Sequence, residues 1–329
     1  MKDLGRALLE LDEATGARVA PALAQLRVGA DEEPGAAAVR DYLWWQLPVP
    51  ADESDERAAH EIAWALGDLF ERAGLVEQAA VCRAAATHER LAVRRWTATF
   101  PQVPPAFWTP ALEGLDRLPE VPQRVRLSLA GATGLLEAVG SGLTVAPDGS
   151  LPVQTVVALD NRFRWTEDFP WMHPNREQDI PPLAFLRRHL TEQRLLARVG
   201  DRLEPTAQGR AALQQWSRLW RAVVAPQPRW SEPFELDTLG VMAASLLRAP
   251  AFTPGRVAEE LTSVLAGKWR AASDRSVFER ASLVVQEWYQ VGVPLGWWDT
   301  GRGPADRRPN AFGRAAAGAV FRAVAARGG

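Results

Sequence analysis

Several residue types are nearly missing from this chain of 329 residues, among them cysteine, with one copy, lysine and tyrosine, with two each, and methionine, with three. A single thiol, Cys82, can close no internal disulfide and build no thiolate zinc cage, which suits a reducing compartment. Histidine is scarce as well. His60, His88, His173 and His189 lie far apart with no HxxxH-type spacing, so no metal site is expected. Long apolar runs are absent: Val241–Ala251 is interrupted by Arg248 and falls short of the roughly 20 residues a membrane helix needs. The opening MKDLGRALLELDEATG has no apolar leader core, so the cytoplasm is the expected compartment and a membrane is not an expected partner. There is no GxxxxGK[ST] phosphate loop, since Gly131–Gly134 carries no lysine, and no GxSxG elbow. No cofactor and no catalytic residue is therefore expected.

What is present is ordinary for a globular chain, with 47% hydrophobic and 24% charged residues. The length exceeds what one hydrophobic core usually fills, so two or three domains are expected. Of the 38 basic residues 36 are arginine. A GC-rich coding bias accounts for that; selection for bidentate phosphate contacts is the sharper alternative. Charge is unevenly laid out. Residues 1–80 carry a net −9, whereas residues 182–230 carry +6 and residues 301–329 carry +5. An anionic partner or a self-complementary dimer would each produce this asymmetry.

Residues 1–99 read as a helical domain. Ile62, Leu66, Leu69 and Phe70 recur at helical steps, and Ala73–Gly74 suits a C-cap between runs Ala58–Glu71 and Leu75–Val93. Trp64 and Cys82 are expected to face its core. Trp44 and Trp45 end an earlier helix before Pro48 and Pro50. Six prolines between Phe100 and Pro122 mark a linker, so residues 100–160 read as a proline-rich linker with a partial repeat.

One internal similarity stands out. VGSGLTVAPDGS (139–150) and VGDRLEPTAQGR (199–210), aligned at an offset of 60, share Val139/Val199, Gly140/Gly200, Leu143/Leu203 and Gly149/Gly209. Each follows an apolar segment, GLLEA or RLLAR, and FGRAA at 312–316 echoes QGRAA at 208–212. The pattern predicts a helix end, a strand, a tight turn at Gly140–Gly142 or Gly200–Arg202, a second strand, and a helix N-capped by Thr206. The first copy departs from it, because Pro152 stands where Ala212 continues the other helix.

The run LTEQRLLARVGDRLEPTAQGRAAL (190–213) resembles the wing region of bacterial winged-helix regulators, and the layout is similar to multi-domain actinobacterial proteins that carry several such modules. The resemblance implies a mainly α fold with small β hairpins: a helical N-terminal domain plus winged-helix-like modules. A module at 161–230 and a C-terminal helical region at 231–329, with a degenerate copy from Val291 onward, complete the division. It also implies double-stranded DNA as a partner, met by Arg187, Arg188 and Arg194 on the helix Pro182–Leu195 and by Arg198 and Arg202 on the hairpin. The helix would turn Leu183, Leu186 and Leu190 inward and leave Arg187, Arg188, His189 and Arg194 outside.

Fourteen tryptophans add a second theme. Trp216 and Trp220, four apart, share a helix face; Trp269 and Trp288 read as core. Of the adjacent pairs Trp44–Trp45 and Trp297–Trp298 only one ring each is expected to turn inward, leaving Trp45 and Trp297 as candidate partner contacts. The segment Asp160–Ile180 gathers Asp160, Glu167, Asp168, His173, Glu177 and Asp179 and is where acid–base chemistry would lie. The expected function is non-enzymatic DNA binding or DNA association in a regulatory role. The alternative is a protein-interaction scaffold, a homodimer or a subunit of a defence or regulatory assembly that uses winged-helix folds without DNA.

Overall fold

Apolar residues three and four apart can share a face only on a helix, and helices dominate the computed structural model. It describes residues 4–26, 33–48, 57–167, 174–226, 230–249, 253–269, 274–299 and 307–328. The chain divides into two compact units, Met1–Pro101 with Ala325–Gly329, and Gln102–Val324.

The first unit holds α1 (Leu4–Leu9), α2 (Glu13–Gln25), α3 (Ala36–Asp41), a π-helical turn at Tyr42–Gln46, α4 (Ala58–Arg72), α5 (Val76–Arg83) and α6 (Ala85–Ala98). Asp12 starts α2 by accepting from the Thr15 amide at 2.9 Å. Leu66, Leu69 and Phe70 of α4 are fully buried with Leu75, Cys82 and Leu91. Gly74, at φ +73, turns the chain from α4 into α5. Two expectations fail here. The run Leu75–Val93 breaks at Ala84, whose extended backbone (φ −62, ψ 134) separates α5 from α6. Trp64 is 49% exposed rather than in the core, because it lies on the side of α4 away from Leu66 and Leu69.

In the second unit the proline-dense stretch, expected to be a linker, carries α7 (Pro105–Leu115), which buries Trp108, Ala111, Leu112 and Leu115. Pro104 and Pro105 start it, where a missing amide donor costs nothing. Next come α8 (Val125–Ser128), α9 (Ala130–Val139), β1 (Leu143–Thr144), α10 (Val153–Phe163), a 3₁₀ turn at Glu177–Asp179, α11 (Pro181–Glu192), β2 (Leu196–Val199), β3 (Arg202–Pro205), α12 (Ala207–Gln214) and α13 (Trp216–Val224). The strands form one antiparallel sheet in the order β1-β3-β2. Gly200 and Asp201 make a two-residue turn between β2 and β3, with Gly200 at φ +64 as mirror-image hairpin turns require. The Val139 copy is not a hairpin. Its GLLEA segment is helical, Gly140 ends α9, and Leu143 pairs with Leu203 of β3.

The remaining helices are α14 (Pro233–Arg248), α15 (Pro254–Lys268), α16 (Asp274–Gly292) and α17 (Ala311–Gly328). The first three pack on one another, and α16 also packs on α11.

The end of α16 repeats the two closing hydrogen bonds of α11. Arg194 donates to the Thr191 carbonyl and Leu195 to that of Leu190 (2.9 and 2.8 Å); Gly296 donates to Val293 and Trp297 to Gly292 (3.1 and 2.9 Å). Arg194 and Gly296 are left-handed, at φ +56 and +60, so both helices stop in a Schellman motif. Leu196 then pairs with Pro205, and Trp298 bridges to Pro309. The Thr206 amide bonds the Leu195 carbonyl and the Asn310 amide that of Trp297, each at 3.0 Å. Thr206 and Asn310 cap the amides of Gly209 and Gly313 (3.0 and 3.1 Å). The guanidiniums of Arg210 and Arg314 return to the carbonyls of Pro205 and Pro309. A Cβ at Gly209 would overlap the Leu195 carbonyl, and one at Gly313 that of Trp297. The faint FGRAA echo therefore marks a repeated bridge-and-cap arrangement.

Candidate nucleic-acid interface

Leu183, Leu186 and Leu190 are fully buried, as the spacing on α11 predicts, each contributing about 1.5–3 kcal/mol by burial. His189, expected outside, is buried: its Nε2 lies 2.8 Å from the Val223 carbonyl. It sits one position before Leu190 and is covered by the chain at α13.

The five arginines do not make one surface. Arg187 donates from Nη1 to Glu177 at 2.6 Å and to the Gly149 carbonyl at 2.9 Å, with its side chain 24% exposed. Burial pushes the Glu177 carboxyl above its ordinary value, against the pull of Arg187. Arg188 pairs with Glu287 of α16 at 3.2 Å, and its guanidinium lies 4.7 Å from the centre of the Phe185 ring. Arg194, Arg198 and Arg202 are exposed. Arg198 donates to the Gly200 carbonyl (3.0 Å); Arg202 donates to that of Gly142 (2.9 Å) and sits 3.3 Å from Glu204. On β3 Arg202 pairs with Val199, while Arg198 pairs with Leu203, so the two side chains leave opposite faces of the hairpin.

Sequence reasoning missed the acids. Glu177 stands ten residues before Arg187 and Glu287 ninety-nine after Arg188, separations that no helical or strand period connects. A cleft of about 440 Å³ opens over this side of α11, lined by Glu177, Phe185, Arg187, Arg188 and Glu192 among others.

The segment proposed for acid–base work is spent on local structure. Asp160 accepts from the Thr166 amide and hydroxyl (3.1 and 2.6 Å), Glu167 pairs with Arg164, and Asp179 accepts from the Asn175 and Arg176 amides. Asp168 and His173 lie outside the described residues. Among the described residues no group of three or more His, Cys, Asp or Glu is arranged to hold a metal ion, and no helix is long and apolar enough to cross a membrane.

The tryptophan expectation is corrected at one of its two positions. Trp45 is 37% exposed, with the Arg90 guanidinium 4.8 Å from its ring centre. Trp297 is 1% exposed and Trp298 is buried with it. Neither turns outward because two consecutive rings of α16 receive them: Trp297 tilts on Trp288 at 5.0 Å, and Trp298 stacks on Tyr289 at 4.1 Å. Trp220 is buried, its indole N–H donating to the Glu120 carbonyl at 3.0 Å, while its helix neighbour Trp216 is half-buried under Arg126.

No protein-family model, no curated protein and no solved structure matches this chain.

Proposed function

We propose that Gln102–Val324 carries two winged-helix-like modules in tandem and acts in the cytoplasm as a non-enzymatic protein-interaction scaffold, of the kind that serves a regulatory or defence assembly. Support for the first module is its order of helix, strand, two helices and hairpin, with the sheet order β1-β3-β2. Support for the second is the matching set of helix-end, bridge and cap hydrogen bonds at Gly292–Arg314.

One observation carries the scaffold reading. A winged helix reads DNA with the third helix of the module, and here the third helices, α11 and α16, pack against each other. Arg188 is tied to Glu287 across that contact and Arg187 to Glu177, so both guanidiniums of α11 are engaged within the chain.

A second reading has its own observation. Arg198 and Arg202 remain exposed on the first hairpin and Arg194 at the helix end before it, within a block of net charge +6, and such a wing contacts backbone phosphate without reading bases. Fluorescence anisotropy with duplex DNA at about 50 mM salt separates the two, because phosphate contacts weaken steeply with salt. The scaffold reading expects no binding, or weak binding that Arg188→Ala leaves unchanged and Arg198→Ala/Arg202→Ala abolishes. Tight binding lost on Arg187→Ala/Arg188→Ala overturns it. Light scattering reports whether a second copy is the partner.

A further inference from the structure

We propose that His60 and His88 form a one-proton latch in the N-terminal unit, and that acid opens it by forcing the first turn of α6 away from α4.

His60 on α4 and His88 on α6 face each other Nδ1 to Nδ1 at 2.9 Å. Their ring centres are 5.2 Å apart and their planes differ by 11°. A 2.9 Å contact plus two ring radii fills that whole separation, so the nitrogens meet head-on in nearly one plane. Such a contact holds one proton, donated by one imidazole to the lone pair of the other. A second proton would set two N–H groups and two positive charges against each other.

The pair is tied into its surroundings. Trp64, one turn beyond His60 on α4, lays its indole on the His88 ring with centres 4.6 Å apart, and its other side meets solvent. Thr87, beside His88, donates to the Val81 carbonyl at 2.7 Å and accepts from the Trp44 indole at 3.0 Å. The His60–His88 contact, with the Trp64 stack beside it, joins this anchored turn of α6 to the N-terminal half of α4.

The carboxylates of α4 and of the turn after α1 are engaged with arginines and are not free to relieve a doubly protonated pair. Arg95 of α6 acts on His60 with the same sign. On α4, Glu61 is paired with Arg18 of α2 (3.3 Å), and Asp68 and Glu71 are paired with Arg83 of α5 (2.6 and 2.5 Å). Just after α1, Glu10 is paired with Arg6 (3.2 Å). Burial, then the facing imidazole, holds His60 below its ordinary value, and burial does the same for His88 against a hydrogen bond to the Cys82 backbone that favours its proton.

The test is a pH titration of the full chain labelled on histidine nitrogen and tryptophan indole, followed by NMR from about pH 7.5 to 4.5. The latch expects His60 and His88 to titrate together in two steps separated by more than about one pH unit, the first below the ordinary histidine value of about 6.5. The Trp64 indole signal, assigned with Trp64→Phe, moves at the same pH, and in His60→Gln that movement is lost while the fold is kept. Independent single steps near the ordinary value, an unmoved Trp64 signal, or an unchanged response in His60→Gln overturns the proposal. If His60→Gln fails to fold, the titration of the parent chain still decides.

Discussion

Leu143 and Leu203 lie directly opposite each other in the antiparallel sheet, although they hold equivalent places in the two similar segments of the sequence. Two segments that read as separate hairpins thus become neighbouring strands of one sheet. Leu203 is 3% exposed and faces Leu143 on one side and Arg198 on the other. Leu203→Ala removes the apolar centre of the sheet and is expected to cost about 2–4 kcal/mol, read from urea unfolding. A loss below about 1 kcal/mol would show that the sheet contributes little to the unit.

Arg194 occupies the left-handed position that Gly296 fills at the end of α16. A residue with a Cβ pays about 1 kcal/mol for that conformation. Arg194→Gly should therefore raise the thermal midpoint by a few degrees, by calorimetry, with the hairpin unchanged.

Gly209 and Gly313 are equivalent if the two modules are. Alanine at either meets a backbone carbonyl rather than a movable side chain. Each substitution is expected to destabilise by about 1–3 kcal/mol, and by similar amounts in parallel unfolding curves. A tolerated Gly313→Ala would break the correspondence.

The Glu177–Arg187 pair positions α11 more than it stabilises the fold, since burial raises the Glu177 carboxyl. A raised acid stabilises the folded state at low pH and loses that contribution as pH rises through its folded value. Glu177→Ala strands Arg187 and should cost about 2 kcal/mol, whereas Glu177→Leu with Arg187→Met should cost less than either single change. A double-mutant cycle in urea measures this directly.

Cys82 is fully buried, and burial pushes its thiol up to about 12. It should resist an aromatic disulfide reagent at pH 8 until the unit is unfolded, the reaction being followed by absorbance. Rapid reaction of the native chain would contradict the described packing.

Local pattern was enough for the elements whose cause is local. Helical spacing fixes Leu183, Leu186 and Leu190 on one side of α11, and Gly200 with Thr206 sets the turn and the following N-cap. The echo at Phe312–Ala316 was legible because a glycine beneath a carbonyl admits no other residue. What became of the arginines was not legible. On an isolated helix Arg187 and Arg188 would be exposed, but their acids come from a 3₁₀ turn and from α16. Trp297 likewise looked free until α16 supplied Trp288 and Tyr289 as two adjoining seats. Sequence period determines which side of an element is apolar; which charged groups remain available is decided by the helices that the tertiary fold lays across them.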